Sequence, residues 1–181
     1  METISKSVTN EEFNKLMPLV QKFPVLHNKL KNDFLTLLNL TEQQQHDSDT
    51  FKTLTRVCLL TLFTVIEADL FYYNLFDKYE GYKDSHPFLR KFSNTFDKIC
   101  LTWKREDLKK EYFENNLASL NTLRDLRNKL THPKEVQHFI EPTQADYNDI
   151  KAVFTAYDTF FSAIMSNFFF ETKIPFKQLF K

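Results

Sequence analysis

Glycine occurs once in the 181 residues of this chain, at Gly81. A many-stranded sheet needs a turn every eight to twelve residues or so, and glycine and proline provide most of the turn conformations. With 1 glycine and 6 prolines, the sequence argues strongly against a β-sandwich or a β-barrel. It also excludes the phosphate loops of Rossmann and P-loop enzymes, because those loops use several glycines to bring backbone N–H groups against phosphate.

Composition predicts a single soluble domain over residues 1–181. Lysine and arginine number 24 and aspartate and glutamate also number 24, so the chain has no overall field that would attract a polyanion. The best apolar run, Val57 to Ile66, is too short and too interrupted by threonine for a membrane span, and the N-terminus lacks the apolar region of a signal peptide. Cys58 and Cys100 have no C-x-x-C partner, which is typical of reduced, buried thiols. We therefore expect a cytoplasmic protein without membrane contact.

Hydrophobic periodicity and capping residues predict an all-α fold, an up-and-down bundle of about five helices. An N-terminal helical segment covers residues 10–40, and the bundle core covers about 50–170. Thr9 or Asn10 caps the first segment, which Pro18 and Pro24 are expected to interrupt before the helix resumes at about Val25.

The second predicted helix runs from Phe51 to about Glu80, after a cap at Ser48 or Asp49. Its centre is apolar on all sides, so we expect other elements to surround it, and Gly81 is expected to end it. Three further helices are predicted: from His86-Pro87 to Trp103, from Arg105 or Glu106 to about Leu130, and from Thr143 to Phe170.

The fourth predicted helix directs an arginine toward its apolar side. On an ideal helix with Leu108 as the origin, Arg127 falls near 100°, inside an apolar arc of about 120°. A buried guanidinium without a partner costs several kcal/mol, so Arg127 needs a carboxylate or a phosphate. Glu67 and Asp69 are the charges in the apolar centre of the second helix, and Glu67 is the preferred partner. The arc contains Tyr112, Leu120, Leu123, Leu126 and Leu130.

The segment LRDLRNKLTHP, residues 123–133, contains Arg127, Asn128 and His132 in the order R-N-x-x-x-H. This pattern, at the end of a late helix in a small helical domain, resembles the signature of the HEPN superfamily. The resemblance extends over about Thr50 to Phe170, although only the motif is individually diagnostic.

The resemblance implies a metal-independent endoribonuclease, found in the family among toxins, abortive-infection factors and CRISPR-associated effectors. Attack of a ribose 2′-OH on the adjacent phosphate needs a base, an acid and a cation for the developing charge. Histidine suits the first two roles and arginine the third, which makes His132 and Arg127 the catalytic candidates and Asn128 an assisting one. Because one chain has one such histidine, the chemistry also predicts a homodimer with a composite site. An antitoxin such as a nucleotidyltransferase is a further partner that the family implies.

Several alternatives stay open at this point. Arg124, Lys129 and Lys134 give the motif a local positive excess that suits RNA, but the two lysines also fit an ordinary solvated helix end. Asn128 also fits a helix C-terminal cap, and an Arg127–Glu67 pair also fits a structural salt bridge. A second hypothesis is therefore a non-catalytic, HEPN-like dimeric module that binds protein or RNA.

The aromatic clusters have two interpretations as well. Phe71-Tyr72-Tyr73, Phe160-Phe161 and residues 168–170 could stack on bases, but a core or a dimer interface is the preferred explanation. The five histidines show no H-x-x-x-H spacing and the cysteines no C-x-x-C, so neither a metal nor a cofactor is expected.

Overall fold

The computed structural model describes residues 5–46, 48–131, 135, 141–166 and 169–172. Within these residues the chain forms five helices, so the predicted all-α bundle is confirmed. Two short strands, which the sequence pattern did not predict, flank the helices and pair in parallel with Ser5 opposite Phe169. The elements in chain order are β1 (Ser5–Val8), α1 (Asn10–Glu42), α2 (Asp49–Phe76), α3 (Phe88–Thr102), α4 (Glu106–Thr131), α5 (Gln144–Met165) and β2 (Phe169–Thr172).

Local capping explains where the helices begin. The Thr9 side chain accepts a hydrogen bond from the backbone of Glu12, whose carboxylate accepts one from the Thr9 backbone, forming a capping box. Ser48 caps α2 through the backbone N–H of Phe51, and Thr143 caps α5 in a second capping box. These three starts were predicted and are confirmed.

The expected interruption of α1 by Pro18 and Pro24 was wrong, because both prolines lie inside one continuous helix of 33 residues. Each proline removes one helical N–H and costs roughly 3 kcal/mol in a helix interior. Tertiary packing offsets that cost, since Phe23, His27 and Phe34 form a buried stripe at helical spacing.

The predicted end of α2 at about Glu80 was also wrong, because the helix ends at Phe76. Asp77 leaves the helical conformation, with φ −153°. Its carboxylate accepts a hydrogen bond from the Thr102 hydroxyl and lies 3.7 Å from Lys98 Nζ, so α3 holds it outside the helix. Gly81, with φ +72°, lies in the turn that follows and does not cap the helix.

The aromatic side chains form much of the core. The ring of Phe23 lies 5.1 to 5.5 Å from the rings of Tyr72, Tyr73, Phe76 and Phe161, which joins α1, α2 and α5. A core or a dimer interface was the preferred explanation for these clusters, and burial in the core is confirmed for Tyr73, Phe160 and Phe161. The side chains of residues 168–170 lie outside the described residues.

One face of α2 is exposed, contrary to the expectation that other elements surround this helix. Four apolar side chains on this face are 37 to 45% exposed. Successive members are separated by close to one or three turns of a helix with 3.6 residues per turn. They therefore lie on one stripe of the helix surface. We call this the α2 apolar stripe, and it consists of Val57, Leu60, Phe71 and Leu75.

The remaining helices follow their predicted bounds closely. α3 and α4 end within one residue of the predicted positions, whereas α5 ends at Met165 and not at Phe170. Cys58 and Cys100 are buried free thiols, as predicted. Among the described residues, no helix combines the length and the apolar character that a membrane crossing requires.

Candidate functional site

Arg127 and Glu67 form an ion pair between α4 and α2. The Nη2 atom of Arg127 donates a hydrogen bond to Oε1 of Glu67 at 3.1 Å. The two side chains are 18% and 37% exposed, so the pair lies at the edge of the core. Arg127 occupies this position because the buried Leu120 and Leu123 direct the same side of α4 inward. The predicted pairing is therefore present.

Two aromatic rings hold the guanidinium from the other side. The Cζ atom of Arg127 lies 4.9 Å from the ring centroid of Phe63 and 6.0 Å from that of Phe88. Cation–π contacts of this length stabilise a guanidinium and restrict its orientation. Its Nε atom is buried and has no hydrogen-bond partner among the described residues.

This arrangement suits an anion-binding arginine. Arginine stays protonated in proteins and presents five N–H donors in a planar fork that matches a phosphate. Here one carboxylate and two rings fix the guanidinium while part of the side chain remains exposed. The charge on Glu67 offsets much of the positive field, so a phosphate would compete with Glu67 for the same donors.

Asn128 follows Arg127 in the last turn of α4 and is exposed. The helix continues to Thr131, so Asn128 lies inside it and not at the C-cap position that was considered. The Thr131 hydroxyl donates to the carbonyls of Arg127 and Asn128 at 3.1 and 3.3 Å, which satisfies part of this helix end. His132 and Lys134 lie outside the described residues.

The basic side chains around the motif differ in whether a neighbouring carboxylate already contacts them. The Arg124 Nη2 atom lies 2.6 Å from Oδ1 of Asp125, and the Arg124 side chain is 22% exposed. Lys129 is exposed in the last turn of α4. The Arg124 guanidinium is therefore already engaged by a neighbouring carboxylate.

A second polar cluster, which the sequence pattern did not predict, lies in the core. The Nδ1 atom of His27 lies 3.0 Å from both carboxylate oxygens of Asp69, and the Tyr157 hydroxyl donates to Oδ2 of Asp69 at 2.9 Å. The three residues are at most 3% exposed. Burial raises the pKa of the Asp69 carboxyl, while the contacts with His27 oppose that shift.

The cluster extends to the surface through Asp158 and Lys31. Nε2 of His27 lies 3.6 Å from Oδ1 of Asp158, and Lys31 Nζ contacts the same carboxylate at 2.6 Å. The ring of Phe161 stacks on His27 with 3.7 Å between centroids. We call these residues the His27 network; they are His27, Lys31, Asp69, Tyr157 and Asp158. It joins α1, α2 and α5, and its only signal in the sequence was the charge of Asp69 in an apolar run.

The described residues contain no group of three or more histidine, cysteine, aspartate or glutamate side chains arranged to hold a metal ion. Comparison of the chain with family models, with curated proteins and with solved structures finds no match. The fold and the site thus define a five-helix bundle with a partly buried arginine–glutamate pair at the end of α4. The resemblance to the HEPN superfamily stays a prediction.

Proposed function

We propose that this protein is a metal-independent endoribonuclease of the HEPN type that acts in the cytoplasm. The observation that carries the proposal is the position of Arg127. It is fixed by Glu67, Phe63 and Phe88 in the last turn of α4, at the start of the motif that continues to His132. A fixed and partly exposed guanidinium supports binding of the phosphate at which an RNA strand is cut.

The proposed reaction needs no group beyond the chain and its substrate. A histidine acting as base takes the proton of the ribose 2′-OH, and the 2′-oxygen forms a bond to the adjacent phosphorus. The bond from phosphorus to the 5′-oxygen breaks, and an acid gives that oxygen a proton. The products are a 2′,3′-cyclic phosphate and a free 5′-OH. Arg127 balances the charge on the phosphate oxygens, Asn128 orients the phosphate or His132, and Glu67 holds Arg127.

We propose that a homodimer provides the acid and the base, since each chain carries one His132. The α2 apolar stripe supports this arrangement, because Leu60 lies seven residues, or about two helical turns, from Glu67. A second copy that covers the stripe would therefore lie close to the Arg127–Glu67 pair. The two motifs would then face one shared groove, along which Arg124, Lys129 and Lys134 contact the RNA backbone.

The proposed activity fits a toxin or a phage-defence factor restrained by a partner such as a nucleotidyltransferase. In that setting, expression of the wild-type chain arrests growth, and expression of the His132→Ala variant does not. Equal growth of cells that express the wild type and cells that express the variant, whether normal or arrested, would contradict the toxin role. That result would not bear on cleavage in vitro.

Cleavage of labelled RNA in EDTA tests the activity directly. We expect the wild type to form fragments that end in 2′,3′-cyclic phosphate, and the His132→Ala and Arg127→Ala variants to lose them. Arg90→Ala, which removes an exposed arginine on α3, is the matched control and should cleave like the wild type. RNA that stays intact with folded, dimeric wild-type protein would contradict the proposal.

A second candidate function is a non-catalytic HEPN-like dimeric module that binds protein or RNA. The observation that favours it is charge balance, because Glu67 neutralises Arg127 and Asp125 neutralises Arg124. In that case Arg127→Ala weakens the packing of α4 on α2, and partner binding does not require His132. Intact RNA together with an unchanged dimer in the His132→Ala variant would favour this module.

A further inference from the structure

A groove of about 630 Å³ lies between α4 and α5, apart from the Arg127–Glu67 pair. Tyr112 and Phe160 are buried at its floor, and their rings stack with 4.5 Å between centroids and 15° between planes. Ala152 and Ala156 form part of the α5 wall, and their small side chains keep the groove open. The volume lies within the range of pockets that bind small molecules, roughly 300 to 1,000 Å³.

The polar groups of the groove carry little net charge. Glu111 and Lys151 both line it, with opposite charges, and Lys151 also contacts Glu42 at 3.1 Å. The other polar lining includes three side-chain amides, those of Asn115, Asn116 and Asn148. The Asn115 amide nitrogen already donates to the Glu111 carbonyl at 2.9 Å, and the Asn148 amide oxygen accepts from Gln144 at 3.0 Å. An amide has two N–H donors and an oxygen that accepts twice, so both keep free capacity, and the lining suits an uncharged ligand with a mixed hydrogen-bonding edge.

Tyr112 provides an independent sign that the groove is incomplete. The residue is 4% exposed, and its hydroxyl is buried without a hydrogen-bond partner among the described residues. Leaving a buried hydroxyl unpaired is unfavourable, and a ligand group that reaches it from the groove would provide the missing partner. Burial raises the pKa of Tyr112, so the hydroxyl keeps its proton and can donate it in a hydrogen bond at neutral pH.

We propose that the groove between α4 and α5 binds a nucleobase. A nucleobase is planar and uncharged and carries donors and acceptors along one edge, which side-chain amides recognise. Its flat faces suit a groove with an aromatic floor. The lack of net positive charge argues against a phosphate as the group that enters.

The base could come from a free nucleoside or from an RNA strand. Asn116 and Arg127 are eleven residues apart on α4, which corresponds to about 16 Å along the helix axis. A strand that places one base in the groove would therefore need further nucleotides to reach Arg127. Base binding itself does not require the proposed cleavage, so the two proposals can fail separately.

Titration of ¹⁵N-labelled protein with adenosine, guanosine, cytidine, uridine and a short single-stranded oligoribonucleotide tests the inference. We expect at least one free nucleoside to shift the amide signals of Asn115, Asn116 and Asn148. Binding of the oligonucleotide but not of free nucleosides would assign the groove to RNA. Absence of shifts at these positions with every nucleoside and with the oligonucleotide would overturn the proposal.

Matched variants separate binding in the groove from binding elsewhere. Thr155 lines the groove, whereas Thr122 lies outside it, and both residues are exposed. The hydroxyl of each donates a hydrogen bond to the backbone carbonyl four residues earlier, so the two positions are matched. Thr155→Trp should weaken binding by roughly tenfold or more, and Thr122→Trp should leave it unchanged. Equal effects of the two variants would contradict the proposal. Tyr112→Phe should also weaken binding while the protein stays folded, because only the unpaired hydroxyl is removed.

Discussion

His27 of α1 and Asp69 of α2 meet in the core with 3.0 Å between Nδ1 and each carboxylate oxygen. Two ionisable side chains that are 3% and 1% exposed are stable there only because each satisfies the other. Tyr157 adds a further hydrogen bond from α5. Together with Tyr157, the pair joins three helices through directional hydrogen bonds, which hydrophobic contacts do not provide.

Removal of either partner should be costly. We expect His27→Ala and Asp69→Ala each to lower the free energy of unfolding by roughly 3 kcal/mol, because each leaves a buried polar group unpaired. The double variant should lose less than the sum of the single losses. Urea unfolding of the four proteins measures this coupling.

The exposed pair of Lys15 and Glu11 is the control for that cycle. The side chains lie 2.6 Å apart but are 72% and 80% exposed, so Lys15→Ala should change stability by less than about 1 kcal/mol. A loss at Lys15 as large as that at His27 would contradict the role given to burial.

The raised pKa of Asp69 should give stability a particular dependence on pH. Between the ordinary carboxyl pKa, near 4, and the raised value, the folded state keeps a proton that the unfolded state has lost. The stability that protonated Asp69 contributes is therefore present at lower pH and declines as pH rises through this window. The variant Asp69→Asn lacks this titration.

Urea unfolding of the wild type and Asp69→Asn between about pH 3.5 and pH 5.5 measures this pH dependence of stability. That interval lies below the pH range in which histidine side chains usually titrate. The free energy of unfolding of the wild type should exceed that of Asp69→Asn by an amount that shrinks as pH rises. Asp125→Asn, which changes an exposed carboxylate, should show no such trend. A deficit of Asp69→Asn that is constant or grows with pH would contradict the prediction.

The two thiols should be inert in the folded protein. Burial raises the pKa of Cys100 to about 12 and also raises the pKa of Cys58, and both side chains are fully buried. Since the thiolate is the reactive form, a thiol reagent at neutral pH should label neither residue in the native state. In denaturant it should label 2 thiols per chain. Rapid native labelling of either would show that the core opens readily.

The proposed homodimer makes the α2 apolar stripe testable. Phe71 is 45% exposed, so Phe71→Arg should not unfold the chain but should place a charge inside the dimer interface. We expect sedimentation analysis to show at least a tenfold or so weaker dimer. Leu101 on α3 is 63% exposed and lies outside the stripe, so Leu101→Arg should leave the dimer unchanged. Equal dimerisation of both variants would place the interface elsewhere.

Much of this fold could be predicted because its determinants are local. Thr9, Ser48 and Thr143 mark helix starts through side-chain bonds within three residues. The Arg127–Glu67 pairing followed from helix geometry, which placed the arginine on the apolar face of α4. The end of α2 could not be predicted in this way. Contacts of Asp77 with α3 end the helix four residues before the predicted position, and those contacts are not local in sequence.

The His27 network could not be predicted from spacing. His27 is separated by 42 residues from Asp69 and by 131 from Asp158, and no local pattern links positions so far apart. The interruption expected at Pro18 and Pro24 was wrong for a related reason, because the packing that stabilises α1 comes from other elements. Sequence patterns report local preference, and both features depend on tertiary contacts.

The parallel pairing of β1 with β2 has a consequence for the order in which the molecule is completed. β1 precedes the five described helices in the chain and β2 follows them, so the paired Ser5 and Phe169 are separated by 164 residues. Contacts over so long a separation carry a high loop-closure entropy unless other contacts have already brought the segments together. We therefore expect the strand pair to form late in folding, after the helices have packed.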